Sequence, residues 1–241
     1  MQPNLPASVW DDAAMTDNAR PQYCVFIDVE TTGFPPDGGR GRLPAPDEVS
    51  MWPYVTEVAL VVTDRAGHEI ASYTSIVQLL ENVTVSPRIT QLTGLSHARC
   101  VVEGRPHAEV FGTVASLIRA HAPLVIAAHN IDFDLPFLVV ELQRAGYGQE
   151  VLAGCVPWCL MKSMIEHCAI PRPGYPGKHK FPKLGEVYAY AYNEGLLGQG
   201  APAEMPAETA HSAYADTLYT AMLAIILDQR GIVNIPWITP S

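Results

Sequence analysis

The sequence predicts a mixed α/β domain built on one central sheet, and three observations carry that expectation. Near the start, segments rich in β-branched and aromatic residues follow one another with turn residues and no helical period between them. After about residue 105, apolar residues at helical spacing alternate with short apolar runs of strand length. The chain has 241 residues, 48% of them apolar and 17% charged, which is material for one sizeable core and too little charge for a disordered chain.

Residues 1–20 lack periodicity and read as a flexible N-terminal arm before a domain at 21–230, with 231–241 as a tail. From Gln22 to Asp28 the run Tyr23-Cys24-Val25-Phe26-Ile27 suits a buried strand that ends at an acid. The stretch 34–53 carries Pro35, Pro36, Gly38, Gly39, Gly41, Pro44, Pro46 and Pro53, a composition that excludes helix and central strand and reads as an insert, a decorated loop or a flap over a substrate. A second strand is expected over 54–64, a hairpin turn at Asp64 to Gly67, and a third strand from about Glu69 to Leu79. Three strands in succession imply an antiparallel meander.

The remainder alternates. Pro106 is placed to open a helix whose Val110, Phe111, Val114, Leu117 and Ile118 share a face, closed by His121 and Pro123. Leu124 to Ala128 has strand length, and residues 134–145 read as helix. A further strand is expected near 151–156, then helices near 159–168 and 183–193, and a final helix from about Ala213 to Asp228 with Ser212 as its N-cap.

Several classes are excluded. No apolar run approaches the roughly 18 residues of a membrane span. The first twenty residues hold Asp11 and Asp12, no lysine and one arginine, Arg20, which is the wrong pattern for a signal peptide. The chain therefore reads as soluble and cytoplasmic, and its five cysteines as reduced thiols. Fifteen Lys and Arg against 25 Asp and Glu leave a net charge of −10, which argues against coating duplex nucleic acid or an anionic membrane by bulk electrostatics.

Acids gather at three element ends. Asp28 and Glu30 are two apart, so a strand presents both carboxylates on one face. His129-Asn130-Ile131-Asp132-Phe133-Asp134 follows the strand 124–128, and His211-Ser212-Ala213-Tyr214-Ala215-Asp216 opens the last helix. Two like charges about 4 Å apart repel by about 4 kcal/mol at an effective dielectric near 20, so such a cluster is sensible only around divalent cations. All-carboxylate ligation favours Mg²⁺ or Mn²⁺ over zinc, and a pair of such ions is the usual device for displacing an oxygen at phosphorus.

Asp28-x-Glu30-Thr-Thr-Gly, His129-Asn130-x-x-Phe133-Asp134 and His211-x-x-x-x-Asp216, in that order, resemble the three motifs of the DEDDh 3′–5′ exonucleases, the family of bacterial polymerase proofreading subunits and ribonuclease T. Ile89 to Leu95 is similar to a segment before that family's first helix, and the resemblance covers about 22–228. It implies a ribonuclease H-like fold and hydrolysis of nucleoside 5′-monophosphates from a 3′ end with two divalent cations, Mg²⁺ or in its place Mn²⁺. Asp28, Glu30, Asp134 and Asp216 would hold the cations, and His211 would act as general base. Thr31, Thr32 and Gly33 would grip the terminal nucleotide, and Phe34 would stack on its base. DNA is the first choice of substrate, as single-stranded or frayed 3′ ends, with RNA trimming second and a non-catalytic polymerase accessory module third. A DNA polymerase is the protein partner the resemblance suggests.

Other readings compete. Asp132 rivals Asp134, and the motif favours Asp134, leaving Asp132 as a turn or capping residue. His129 and Asn130 stand beside the site, His129 as a structural hydrogen-bonding residue or a substrate contact. Cys155, Cys159, His167 and Cys168 are too loosely spaced for a zinc knuckle. Arg172, Lys178, His179, Lys180 and Lys183 form a strip without acids. It is either a solvated loop or a phosphate-tracking strip, in which Lys178, Lys180 and Lys183 would bind substrate.

Overall fold

The computed structural model describes residues 22–36, 43, 45–122, 124–206 and 212–237. The expected meander forms from β1 (Tyr23–Thr31), β2 (Val55–Asp64) and β3 (Glu69–Ile76), each antiparallel to the next. At the turn between β2 and β3, Gly67 has φ +89°, and a Cβ there would meet Ile225 Cγ2 at 2.8 Å, so only glycine lets the hairpin lie on the last helix.

Two helices that periodicity did not reveal follow, α1 (Pro87–Thr93) and α2 (His97–Glu103). Each is seven residues long and capped by a serine, Ser86 accepting from Ile89 N and Ser96 from Arg99 N. They were invisible because α1 buries no residue and α2 only Cys100, so neither has an apolar face to repeat. Gly104 ends α2 where a Cβ would lie 2.2 Å from Cys100 O and 2.5 Å from Gln78 N, a close approach that closes this unit on the end of β3.

α3 (His107–His121) begins one residue after Pro106, which is its N-cap. β4 (Leu124–Ala128) is fully buried. α4 (Ile131–Arg144) starts three residues earlier than expected and tolerates Pro136 inside it. The fifth strand is displaced: residues 149–152 wind a 3₁₀ turn, and β5 is Cys155–Cys159 rather than 151–156. The single helix expected over 159–168 is two short ones, α5 (Leu160–Ser163) and α6 (Ile165–Cys168), broken at the fully buried Met164. α7 (Leu184–Asn193) and α8 (Ala213–Gln229) match expectation closely.

β4 is parallel to β1 and β5 to β4, giving the mixed order β3-β2-β1-β4-β5. The alternation of β1 divides the core. Val25, Ile27 and Val29 pack in the apolar cluster that includes Val110, Phe111, Leu135 and Phe137 from α3 and α4, whereas Cys24 and Phe26 pack in the one that includes Val187, Leu223 and Ala224 from α7 and α8. Continuing the second series, positions 28 and 30 lie on the α8 side.

The insert is not wholly irregular. Pro46–Met51 forms a 3₁₀ helix, and Trp52 is buried with its ring 5.2 Å from Phe137. Arg144 clasps this segment, donating to the carbonyls of Val49, Trp52 and Pro53 while pairing with the buried Glu141 at 2.7 Å. Glu141 also accepts from Val55 N and meets His107 Nε2 at 2.7 Å. Residues 37–42 and 44, the N-terminal arm and the tail from 238 lie outside the described residues.

Candidate active site

β1 outruns its parallel neighbour. The β1–β4 ladder ends at Phe26 with Ala127, so beyond it the edge of β1 faces the start of α4 instead of a strand. Asp134 takes up the Val29 N–H there, its Oδ1 accepting at 3.2 Å. Because α4 begins at Ile131, Asp132 and Asp134 both lie in its first turn, about 200° apart around the axis. Asp134 therefore points inward and is 4% exposed, while Asp132 points out to Lys162 at 2.6 Å. Asp132 is thus a helical, ion-paired residue rather than a turn residue, and helix geometry sets the two acids on different faces of α4.

Across the sheet, α8 delivers Asp216. Asp216 N donates to Ser212 O at 3.0 Å, which fixes Asp216 in the first turn. One carboxylate oxygen from each of Asp28, Glu30 and Asp216 lies within 4.8 Å of the other two, and all three residues are half-buried. Burial, then Asp134, Glu30, Asp216 and Glu57, hold the Asp28 carboxyl well above the ordinary carboxylate range. Burial pushes Glu30 up to about 8, with Asp216, Glu57 and Asp134 adding to the rise. Burial also pushes Asp134 up to about 8; the N–H groups of Val29 and of Asp134 itself pull it down, and Asp216 adds to the rise. Mutually repelling hard oxygen donors this close fit a divalent cation of the Mg²⁺ or Mn²⁺ kind, which would remove the repulsion. His211 lies outside the described residues.

Sequence reading missed Glu57. It stands on β2 directly opposite Glu30, and its Oε2 accepts Ala213 N at 3.1 Å. Burial raises its carboxyl, while the Ala213 N–H and the charge of Arg99 on α2 oppose that rise. Ser212 is the N-cap residue of α8 as expected, but its side chain makes no capping bond. A strand glutamate carries no local motif, and only the pairing of β1 with β2 reveals its neighbours.

The remaining candidates lie at the ends of β1 and β4 and in the segment before α7. Thr31 is buried and its hydroxyl donates to Gly33 O at 2.7 Å. Thr32 exchanges two bonds with Tyr54, its N donating to Tyr54 O and its Oγ1 accepting from Tyr54 N. Gly33 lies against Pro53. Phe34 is 82% exposed at the outer end of an aromatic series that runs through Phe133 to Phe137 and Trp52. Asn130 is the N-cap of α4, and its carbonyl accepts from Phe133 N and Asp134 N.

His129 Nε2 meets Pro182 O at 3.1 Å, tying the end of β4 to the basic segment, while its buried Nδ1 has no hydrogen-bond partner. Burial lowers this imidazole to about 4, so it is neutral at pH 7. In the basic segment, several cations are engaged locally. Lys180 Nζ meets both oxygens of Glu186 at 2.6 and 2.7 Å, His179 pairs with Glu166, and Arg172 lies over the Tyr175 ring. Lys183 N is held by Glu186, and the Lys178 backbone bonds Tyr175 and Arg172. Cys155 and Cys159 pack in the apolar core.

The stretch 25–224 matches the RNase_T family model, described as Exonuclease. Three prime repair exonuclease 2 of Homo sapiens is 28% identical over 149 residues, which cover 55% of this chain and 57% of that protein. The 3′-5′ exonuclease DinG of Bacillus subtilis (strain 168) is 30% identical over 165 residues, 68% of this chain and 15% of that protein. Among solved structures, E. coli Exonuclease I in complex with a dT13 oligonucleotide superposes with a TM-score of 0.62 at 17% identity, covering 87% of this chain and 41% of that one. Exonuclease I from Methylocaldum szegediense gives 0.61 at 21% identity, over 86% and 40%. These structures share the fold, and the chain spans little more than half the length of the human relative and less of the others. With its strand order, its acids and a match from residue 25 to 224 in agreement, the chain belongs to the exonuclease family.

Proposed function

We propose that this protein is a divalent-cation-dependent 3′–5′ exonuclease that releases nucleoside 5′-monophosphates from single-stranded or frayed 3′ ends, DNA in preference to RNA. The observation that carries the reading is the convergence of Asp28, Glu30 and Asp216 within 4.8 Å beside Asp134. Relatives named for 3′ repair and 3′-5′ exonuclease activity, and an Exonuclease I structure holding dT13, support the direction and the preference for DNA. The family match over 25–224 supports a catalytic domain at 21–230.

Asp28, Glu30 and Asp216 would hold a cation, and Asp134 would support a second. Bound Mg²⁺ or Mn²⁺ supplies Lewis-acid stabilisation of charge at the scissile phosphate and its leaving oxygen. His211 takes the proton from the attacking water, a role for which imidazole as a side chain is suited because its ordinary pKa lies close to neutral pH. The backbone at Thr31, Thr32 and Gly33, braced against Tyr54 and Pro53, receives the terminal nucleotide, and the exposed Phe34 ring stacks on its base. Lys178 and Lys183 track the phosphates, with Lys180 bracing their segment through Glu186.

The test uses labelled DNA and RNA oligomers, single-stranded and paired. Stepwise shortening from the 3′ end is expected with Mg²⁺ or Mn²⁺, faster on single-stranded DNA, and none with excess chelator. Asp216→Asn is expected to lose at least about 100-fold in rate, as removal of charge at a metal site does, with substrate binding largely kept. Binding without cation-dependent shortening would leave an accessory module, and faster loss of RNA would reassign the substrate.

A further inference from the structure

An α-helix leaves its first N–H groups without intrahelical acceptors, and an N-cap side chain ordinarily supplies one. α8 is seated differently. Ser212 occupies the N-cap without a side-chain bond, and the first helical N–H, that of Ala213, is taken by Glu57 from β2, 156 residues away in sequence. Glu57 faces Glu30 across the β1–β2 ladder, a pairing of like charges that is unfavourable by itself. The positive end of α8 gives that charge a partner. Asp216 follows Ala213 by three residues within the same turn. The seating of that turn against β1 and β2 therefore decides where the Asp216 carboxylate lies relative to Asp28 and Glu30.

We propose that Glu57 is a positioning residue: by accepting the Ala213 N–H it seats the first turn of α8 on the sheet and holds Asp216 in register with Asp28 and Glu30 for cation binding. The proposal deepens the metal-dependent reading above and rests on it. Glu57 acts through its reach and its acceptor oxygen: its Oε2 is engaged by the Ala213 N–H, and it stands outside the close trio of Asp28, Glu30 and Asp216.

Reach and charge separate in two variants. Glu57→Gln keeps the length and an acceptor oxygen and removes the charge; Glu57→Asp keeps the charge and withdraws by one methylene. Mn²⁺ binding to the full chain, measured by calorimetric titration with thermal melts alongside, is expected to stay within ~3-fold of wild type for Gln and to weaken ~10–100-fold for Asp. Should the Asp variant not fold cooperatively, Glu57→Met removes the acceptor at similar bulk and is expected to show the same weakening. The reverse order would assign Glu57 an electrostatic role and overturn the proposal. Equal loss in Gln and Asp would make it a ligand, and a lowered melting temperature with unchanged Mn²⁺ affinity would make it merely structural; each overturns the proposal. Wild type that binds no Mn²⁺ would remove the metal-dependent reading itself, an outcome visible in the wild-type trace alone.

Discussion

Glu30 and Asp134 each carry a carboxyl raised to about 8, and the cause is the same: burial beside other acids. A group that binds its proton more tightly folded than unfolded destabilises the fold as that proton is lost. For Glu30 the window runs from the ordinary 4.5 up to about 8. The cation-free protein is therefore expected to melt lower as pH rises across that window, by several degrees between pH 5.5 and 8, on the scale of ~2–4 °C per kcal/mol for a domain this size. Added Mg²⁺ or Mn²⁺ is expected to restore most of the loss at pH 8 and little of it at pH 5.5, where protonated carboxyls bind cations poorly. Melting curves with chelator and with cation at the two pH values measure both. A cation-free melt independent of pH would show that these acids are not crowded in solution.

Among the elements, α4 does two separate tasks at its two ends. Its first turn supplies Asp134 to β1, and its last turn supplies Glu141 and Arg144 to the segment 46–55. Glu141 is fully buried with three donors facing it, Val55 N, His107 and Arg144. Removing one partner of a buried charged set costs about 3–5 kcal/mol, because the other charge is left unpaired. Glu141→Ala is accordingly expected to lose that much in a urea titration while leaving Mn²⁺ affinity unchanged. Loss of Mn²⁺ binding in a variant that still folds would connect the two ends of the helix. α1 and α2 illustrate the opposite limit, short helices specified by serine caps and hardly at all by burial.

At the scale of the whole molecule, a net charge of −10 must be reconciled with an anionic substrate. The acids at 28, 30, 134 and 216 converge at one end of the sheet, where cations would reverse their effect. Of the basic segment, Arg172, His179 and Lys180 are engaged with neighbours, which concentrates the expected phosphate contacts on Lys178 and Lys183. Replacing both by Ala is expected to weaken binding of single-stranded DNA and to reduce the slope of log K against log salt by about 1.4, two contacts at about 0.7 each. Lys180→Ala is expected to change that slope less and to loosen its segment instead. Equal slopes in the double variant and wild type would return the segment to an ordinary solvated loop.

The sequence by itself determined the fold class, the meander, the strand 124–128 and the last helix, because each is written in local periodicity and turn chemistry. It also marked Asp28 and Glu30, which share one face of a strand after an apolar run, and Asp134 and Asp216 near helix starts, with the choice of Asp134 over Asp132 coming from the motif's resemblance to the family. Tertiary structure alone decided what depends on residues far apart in the chain. The displacement of β5 and the break at Met164 follow from packing against the sheet, which overrides a short apolar run's own preference. The inward turn of Asp134 depends on the start of α4 and on the freed edge of β1. The seating of α8 by Glu57 joins elements 156 residues apart that no local pattern couples. A carboxylate's chemistry is set by its neighbours in space, and strand pairing, not sequence adjacency, chooses those neighbours.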